Sequence, residues 1–512
     1  MKRLVVCCDG TWNTPDQEQN DLPSPTNVVK LYNAVAPQAS GVEQQTYYHP
    51  GVGTEGPVGA RTAGGAYGAG LGENIISAYA WLAVHYESGD HVFLFGFSRG
   101  AFTVRSLAGF IGRCGLLDLK GLTPSDAFGR AERAYQEGYR DGNTDWKPTG
   151  WALRATEPVP IHFIGVWDTV GALGIPDDLA LLNLLDKPES WRFHDMSLGP
   201  SVSYARQAMA LDEQRASFTP TLWTDPATRA PYLNDDRVKQ LWFPGVHSDV
   251  GGGYAESDLS DIALKWMMDE ATARGLGFTN KMVAQLRPEP CGVLHNSLQG
   301  IFRMLRTRPR NIPRMIDPAW LHPATIERHD NPPISQAPYH PTRTLAGSQT
   351  ARVSVYARDH WNATGLYLEA GNTYELTGSG EWLDSSIPCG PNGMQDGKFH
   401  PGELLLAASS FLGGIESLYR RVTGNDRADF WGTRRIESMP WFALVGVIAN
   451  DGTGAPSPVN DGSPSPHETF LIGEGPVRVT VEKPGYLYAF ANDAWAFYGN
   501  NRGSLVLTVK RL

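Results

Sequence analysis

Long apolar runs are the first thing the 512-residue sequence lacks. No stretch reaches the roughly 18 consecutive apolar residues of a membrane span. The first apolar run covers only positions 4–8, short of the roughly 7–15 residues of a signal-peptide core. The expectation is synthesis in the cytoplasm without a signal peptide, with any export by a route that needs no cleaved leader. Positive charge is also scarce. The 44 Lys and Arg against 54 Asp and Glu leave a net charge of −10. That balance lacks the footprint of a nucleic-acid binder, so no nucleic-acid partner is expected. Cysteine is sparse and odd in number, at five, and Cys7 and Cys8 are adjacent in a strand-like run. A disulfide framework is a poor reading of that pattern, and reduced thiols are expected. No repeat at a fixed period is visible.

Glycine is abundant, with 56 residues, about 11% against a usual level of about 7%. With 37 prolines the two types reach about 18%, below the roughly 25–30% of low-complexity chains. The excess points to turn-rich α/β or β architecture and away from a helical bundle. At roughly 150 residues per domain the length predicts two or three domains.

The first part alternates strand-like and helix-like stretches. Short apolar runs at 4–8, 92–97, 161–167 and 238–243 read as buried strands. Residues 72–86, 98–113 and 258–274 read as helices, the last with Ser257 or Ser260 as N-cap and Gly275 as its stop. Uninterrupted apolar strands separated by helices predict a parallel sheet covered on both faces. The intervals 123–156 and 175–237 predict either a cap over the site or ordinary connecting helices. Crowded prolines between 313 and 344 mark a boundary. Beyond it, strands at 351–356, 374–378, 442–448, 477–481, 486–490 and 504–509 predict an antiparallel sandwich. Residues 403–435 read as a helical insertion in it.

The strongest motif is Gly96-Phe97-Ser98-Arg99-Gly100, a G-x-S-x-G pattern. It follows an apolar strand and opens an apolar-striped helix, the setting this motif requires. The glycines permit a sharp turn that projects the Ser98 hydroxyl, and the helix N-terminus offers amides to an oxyanion. A serine nucleophile needs a base, and the base an orienting acid. Chain order in this class is Ser, acid, His. Asp168 follows the strand ending at Trp167, and carboxylates at the C-terminal ends of parallel strands face the crevice. His247 follows the next strand in a glycine-rich loop. Asp249 is either an alternative orienting acid or a loop-stabilising residue. Asp168 is preferred because it has its own strand end. Amides at Gly10, Thr11 and Arg99 are the candidate oxyanion donors. The glycine-rich stretch 51–72 lacks the lysine of a phosphate loop and reads as a wall or loop.

Five blocks in order carry a family resemblance: DGTWN at 9–13, GVGT at 51–54, GFSRGA at 96–101, WDTVG at 167–171 and PGVHSDVGGGY at 244–254. Together they resemble the class 1 type VI secretion lipase effectors and their α/β-hydrolase relatives. DLSDIALKWM at 258–267 and the stretch 295–310 are similar too. The resemblance covers roughly residues 1–345. It implies an α/β-hydrolase domain with Ser98 as nucleophile, Asp168 as acid and His247 as base. It further implies serine esterase chemistry on phospholipid acyl esters, with no cofactor for catalysis. Secretion-apparatus and immunity proteins are the partners it implies. A soluble carboxylesterase acting on short acyl esters is the alternative.

The chain from 346 to 512 is expected to form the second domain. Its segment 492–504 resembles the calcium-and-sugar loop of PA-I type galactophilic lectins. Asp493 and the amides of Asn500 and Asn501 are hard oxygen ligands suited to Ca²⁺, with Phe497 contributing only its carbonyl. A further carbonyl would come from the turn near Asp384–Ser385. The resemblance implies a galactoside or glycan ligand on His400, Asp493 and Asn500. Phe497 and Trp495 depart from the small residues of that pattern, and the insertion at 403–435 is foreign to it. A carbohydrate-binding protein with a scaffold hydrolase domain is therefore a third reading.

Overall fold

The computed structural model describes residues 1–10, 13–51, 67–140, 146–154, 158–170, 198–299, 305–394, 435–453 and 463–512. They group into two compact units. The first is built mainly from Met1–Leu305 and Ile316–Tyr339, the second from Arg306–Met315, His340–Ala455 and Ser465–Leu512.

In the first unit the elements run β1 (Arg3–Cys8), α1 (Asn27–Ala34), β2 (Val42–His49), α2 (Tyr67–His85), β3 (His91–Phe97), α3 (Arg99–Cys114) and α4 (Pro124–Ala134). They continue with β4 (Ile161–Trp167), β5 (Val202–Ala210), β6 (Val238–Phe243), α5 (His247–Gly251) and α6 (Asp258–Thr272). The sheet order is β2-β1-β3-β4-β5-β6, every pair parallel, with Gln38–Ala39 antiparallel on the β2 edge. Strand pleating puts successive side chains on opposite faces. Leu4, Val6 and Cys8 therefore join one apolar core with α2 and α3, while Val5 and Cys7 join another with α1 and α6. Sheet order reverses between β1 and β3, because the crossover through α1 leads to one side of β1 and the chain then returns to the other. In an open parallel sheet, ligands bind at such a switch point, beyond the strands' C-terminal ends. Both Gly10 and Ser98 lie there.

The interval 175–237, expected to form a cap or connecting helices, instead holds a strand, since β5 lies between the strands at 161–167 and 238–243. β5 is hard to read because Arg206 and Gln207 break its apolar run. Both are fully buried and bonded, Arg206 to Glu270 at 2.7 Å and Gln207 to the Thr221 carbonyl at 3.1 Å. The interval 123–156 supplies a connecting helix where it is described. Ala127, Ala131 and Ala134 of α4, with Tyr135 and Tyr139 after it, pack into the core beside α2 and α3. Residues 171–197 lie outside the described set.

The second unit is β-rich. One antiparallel sheet orders Ile387–Cys389, Trp382–Asp384, Arg502–Arg511, Thr373–Ser379 and Val477–Thr480, with Thr350–Tyr356 also on Arg502–Arg511. The other orders Asn362–Leu368, Gly485–Ala491, Leu444–Asn450 and Glu468–Leu471. Val355, Leu376 and Leu507 from one share an apolar core with Leu366, Ile448 and Leu487 from the other. The insertion expected at 403–435 lies outside the described residues except for Arg435. All five cysteines are free.

Candidate active site

Ser98 is the junction between β3 and α3. Its backbone has φ 55° and ψ −120°, a conformation that costs a non-glycine residue of order 1–3 kcal/mol. The surroundings hold it there. Its amide donates to the Trp167 carbonyl at 3.0 Å. A Cβ on Gly96 would stand 2.4 Å from the Gly100 carbonyl oxygen, and one on Gly100 would stand 2.1 Å from the Cys8 carbonyl oxygen. Both glycines of the motif are thus required by backbone crossings. The side chain of Ser98 is set at the sheet's switch point, 8% exposed.

Asp168 follows β4 and is fully buried. Its Oδ1 accepts the Ala210 amide at the end of β5, at 2.9 Å, and its Oδ2 meets His247 Nδ1 at 2.6 Å. His247 opens α5. Its imidazole lies between Phe97, at 4.6 Å between ring centroids, and the edge-on ring of Phe218, at 4.9 Å. Phe97 immediately precedes Ser98, so one ring links the serine turn to the histidine. Burial pushes the His247 pKa below its usual value, against the opposing pull of Asp168. The imidazole is therefore neutral at neutral pH. A bond of this length to a carboxylate suits a proton on Nδ1, which leaves Nε2 as an acceptor. The preferred acid is the one paired with His247. Asp249 instead takes the Val246 amide at 3.0 Å and His295 Nδ1 at 2.6 Å.

Around this pair lie residues that the sequence did not single out. Glu213, just past β5, is buried and accepts the His247 amide at 3.2 Å. It also binds Arg215 through both oxygens, at 2.9 and 2.8 Å, and the Ser297 hydroxyl at 2.9 Å. The Arg215 guanidinium covers Phe218 at 3.5 Å. No spacing rule points to these residues, because β5 itself was concealed.

Of the candidate oxyanion donors, Thr11 lies outside the described residues. The Gly10 amide donates to Asp9 Oδ1 at 2.7 Å. Arg99 is the first residue of α3 and follows Ser98 directly. Asp9 also accepts the hydroxyls of Thr26 and Tyr48, each at 2.8 Å. Burial raises its pKa to about 6, less than it would without those donors.

In the second unit, Asp493 is fully buried and accepts the Ala494 amide at 2.6 Å and Asn501 Nδ2 at 2.8 Å. Asn500 Nδ2 reaches Asp384 Oδ1 at 3.4 Å. Burial, then the Asp384 charge, pushes the Asp493 pKa up to about 7. Asn501 Oδ1 is buried without a partner. A buried carboxylate whose charge is disfavoured by Asp384, beside an orphaned amide oxygen, fits a hard cation. Other observations fit less well. The Phe497 carbonyl accepts the Asn500 amide at 3.1 Å, and no group of three or more acidic, His or Cys side chains suited to a metal occurs among the described residues. His400 lies outside the described residues. Arg435 ties its amide to the Asp493 carbonyl at 3.1 Å and lays its guanidinium over Phe490, Trp361 and Trp495 at 3.5–4.6 Å.

The sequence model of the family described as "T6SS, Phospholipase effector Tle1-like, catalytic domain" matches residues 2–270. An uncharacterized protein of Saccharomyces cerevisiae is 32% identical over 249 residues, 44% of this chain and 33% of its own length. The chain thus spans about a third of that relative. Among solved structures, the Tle1 effector bound to the VgrG spike of the type 6 secretion system is 15% identical. That match covers 59% of this chain and 77% of the other, with TM-score 0.34. The EclA N-terminal domain, a PllA-like lectin, is 16% identical over 31% of this chain and 95% of its own, with TM-score 0.18.

Proposed function

The chain belongs to the Tle1-like phospholipase effector family, and from that premise we propose that it is a serine hydrolase cleaving acyl esters of phospholipids. The observation that carries this reading is the 2.6 Å Asp168–His247 pair, joined through Phe97 to a strained serine turn. Ser98 Oγ attacks the ester carbonyl and gives its proton to His247 Nε2. The Arg99 amide, with others at the α3 N-terminus, receives the developing oxyanion. His247 then protonates the leaving alcohol, and Asp168 stabilises the imidazolium. Water attacks the acyl-enzyme by the same route in reverse. No metal enters these steps. Ser98→Ala is expected to abolish both release of fatty acid from phosphatidylcholine vesicles and labelling by a fluorophosphonate, with unchanged circular dichroism. Equal turnover by the variant overturns the reading.

For the second unit we propose a Ca²⁺ held by Asp493, the amide oxygens of Asn500 and Asn501, and the Phe497 carbonyl. The ion would neutralise the Asp384–Asp493 pair and present a galactoside or glycan site that includes His400. The orphaned Asn501 oxygen supports this most directly. Chelator-sensitive galactoside binding that is lost in Asp493→Ala tests it, and retained binding in that variant overturns it. Carriage by a type VI-like apparatus, with secretion and immunity proteins as partners, follows from the same family premise. No described helix is long and apolar enough to cross a membrane.

A further inference from the structure

We infer that His295 and Ser297 form a brace that sets the position of His247. The inference rests on the reading of His247 as the base. The polypeptide at 295–297 adjoins the loop that carries His247 and grips it through two carboxylates. On one side, His295 Nδ1 lies 2.6 Å from Asp249 Oδ1, and its own amide donates to Asp249 Oδ2 at 3.2 Å. That same Oδ2 accepts the Val246 amide at 3.0 Å. On the other side, the Ser297 hydroxyl donates to Glu213 Oε1 at 2.9 Å, and Glu213 Oε2 accepts the His247 amide at 3.2 Å. The amides of two consecutive residues, 246 and 247, are therefore each held by a buried carboxylate. Each carboxylate is held in turn by one side chain of the brace.

The loop is shaped around this arrangement. Gly245 has φ 114°, and a Cβ there would stand 2.3 Å from the Asp249 Cβ. Only the missing side chain lets Asp249 fold back beneath the loop. The Tyr254 ring stacks on the His295 imidazole at 3.9 Å and 15°, and Glu256 Oε2 lies 3.4 Å from its Nε2. His295 is thus fixed by a stacked ring and an acid at each nitrogen. Its role is distinct from that of Asp168, which bonds the His247 ring and not its backbone.

A buried carboxylate that loses a donor seeks another, and the cheapest response here is a shift of the loop. The reacting Nε2 stands at the end of the His247 side chain, so a shift of a fraction of an ångström at its amide reaches the site. Misplacement by about 1 Å costs on the order of 100-fold in rate, and a partial shift about tenfold. Such a shift alters proton transfer and leaves the surface that binds substrate intact.

The test uses the full chain, with 4-nitrophenyl butyrate as the ester probe. His295→Ala and Ser297→Ala are each expected to lower kcat about tenfold with KM within about twofold. His295→Asn keeps an amide donor for Asp249 and is expected to return kcat to within about threefold of the parent. Ser98→Ala, measured in parallel, separates the two levels of the argument. If that variant remains active, the reading of the site fails and the brace with it. If it is dead while both alanine variants keep kcat within twofold, the brace alone is overturned. A loss shared equally by kcat and KM, or one that asparagine does not recover, also overturns it. Should His295→Ala fail to fold, His295→Asn and Ser297→Ala carry the test.

Discussion

Replacing Gly100 with alanine tests how the nucleophile turn is held. The added methyl would stand 2.1 Å from the Cys8 carbonyl oxygen and 2.5 Å from that of Asp9, both main-chain atoms of the strand edge. Ordinary contact requires about 3.5 Å, so α3 and β1 must part by about 1.4 Å. Overpacking of this kind costs about 3 kcal/mol, the upper end of the usual range, because neither partner is a flexible side chain. For a unit of this size each kcal/mol moves the melting temperature by about 1–2 °C, which gives a drop of about 3–6 °C. Ser98 rides on the displaced helix, so fluorophosphonate labelling should slow about 100-fold. Gly112 on the same helix is the control. Its Cβ would meet nothing nearer than Ser201 Oγ at 3.6 Å, so alanine there should add about 0.5–1 kcal/mol of stability. The measurements are thermal unfolding by circular dichroism and the pseudo-first-order labelling rate. A Gly100→Ala protein that melts within about 2 °C of the parent and labels at its rate would refute the argument.

Three further outcomes are expected. Asp168→Asn should lower kcat about 10³–10⁴-fold with the fold retained, because the imidazole loses its fixed tautomer; a change under tenfold in ester hydrolysis would show that Asp168 does not orient the base. With His247 as the proposed base and its pKa depressed, kcat/KM should hold down to pH 6.5 and decline only below it. A pH-rate profile with its acid limb above 6.5 contradicts that. Asp493 binds its proton more tightly when folded, at about 7 against 3.8, so without metal the second unit should lose stability as pH rises between those values. Added Ca²⁺ should reverse the loss above pH 7, and melting curves in chelator that are flat with pH would count against it.

Much of the first unit could be read from sequence because its strands are buried on both faces and bounded by turn residues. The strands at 161–167 and 238–243 match to the residue, and β3 and α3 to within one. Ser98, Asp168 and His247 follow the C-terminal ends of such strands, so their placement along one edge of the sheet follows from topology. β5 escaped because burial of Arg206 and Gln207 depends on partners far along the chain. Glu213 escaped with it, since a strand-end carboxylate cannot be recognised when the strand is unread. His295 opens the family-like stretch 295–310, but it sits in irregular chain and no spacing pattern there assigns it a role. In the second unit six strands were readable by alternation, whereas Trp382–Asp384, Ile387–Cys389 and Glu468–Leu471 are too short to show a period. Asn362–Leu368 was missed, where a bulge between Ala363 and Tyr367 breaks the period of two.

Phe97 has a consequence for how relatives of this chain can diverge. Its ring fills the space where a side chain on Gly251 would stand, with atoms 2.0–2.3 Å from the added Cβ, while it lies tilted against His247. Positions 97 and 251 therefore share one fixed volume, 154 residues apart in sequence. A lineage that enlarges residue 251 must first shrink residue 97, and in doing so it gives up a wall of the imidazole's pocket. Neutral drift at this pair is open only along a path that also rebuilds the environment of the histidine.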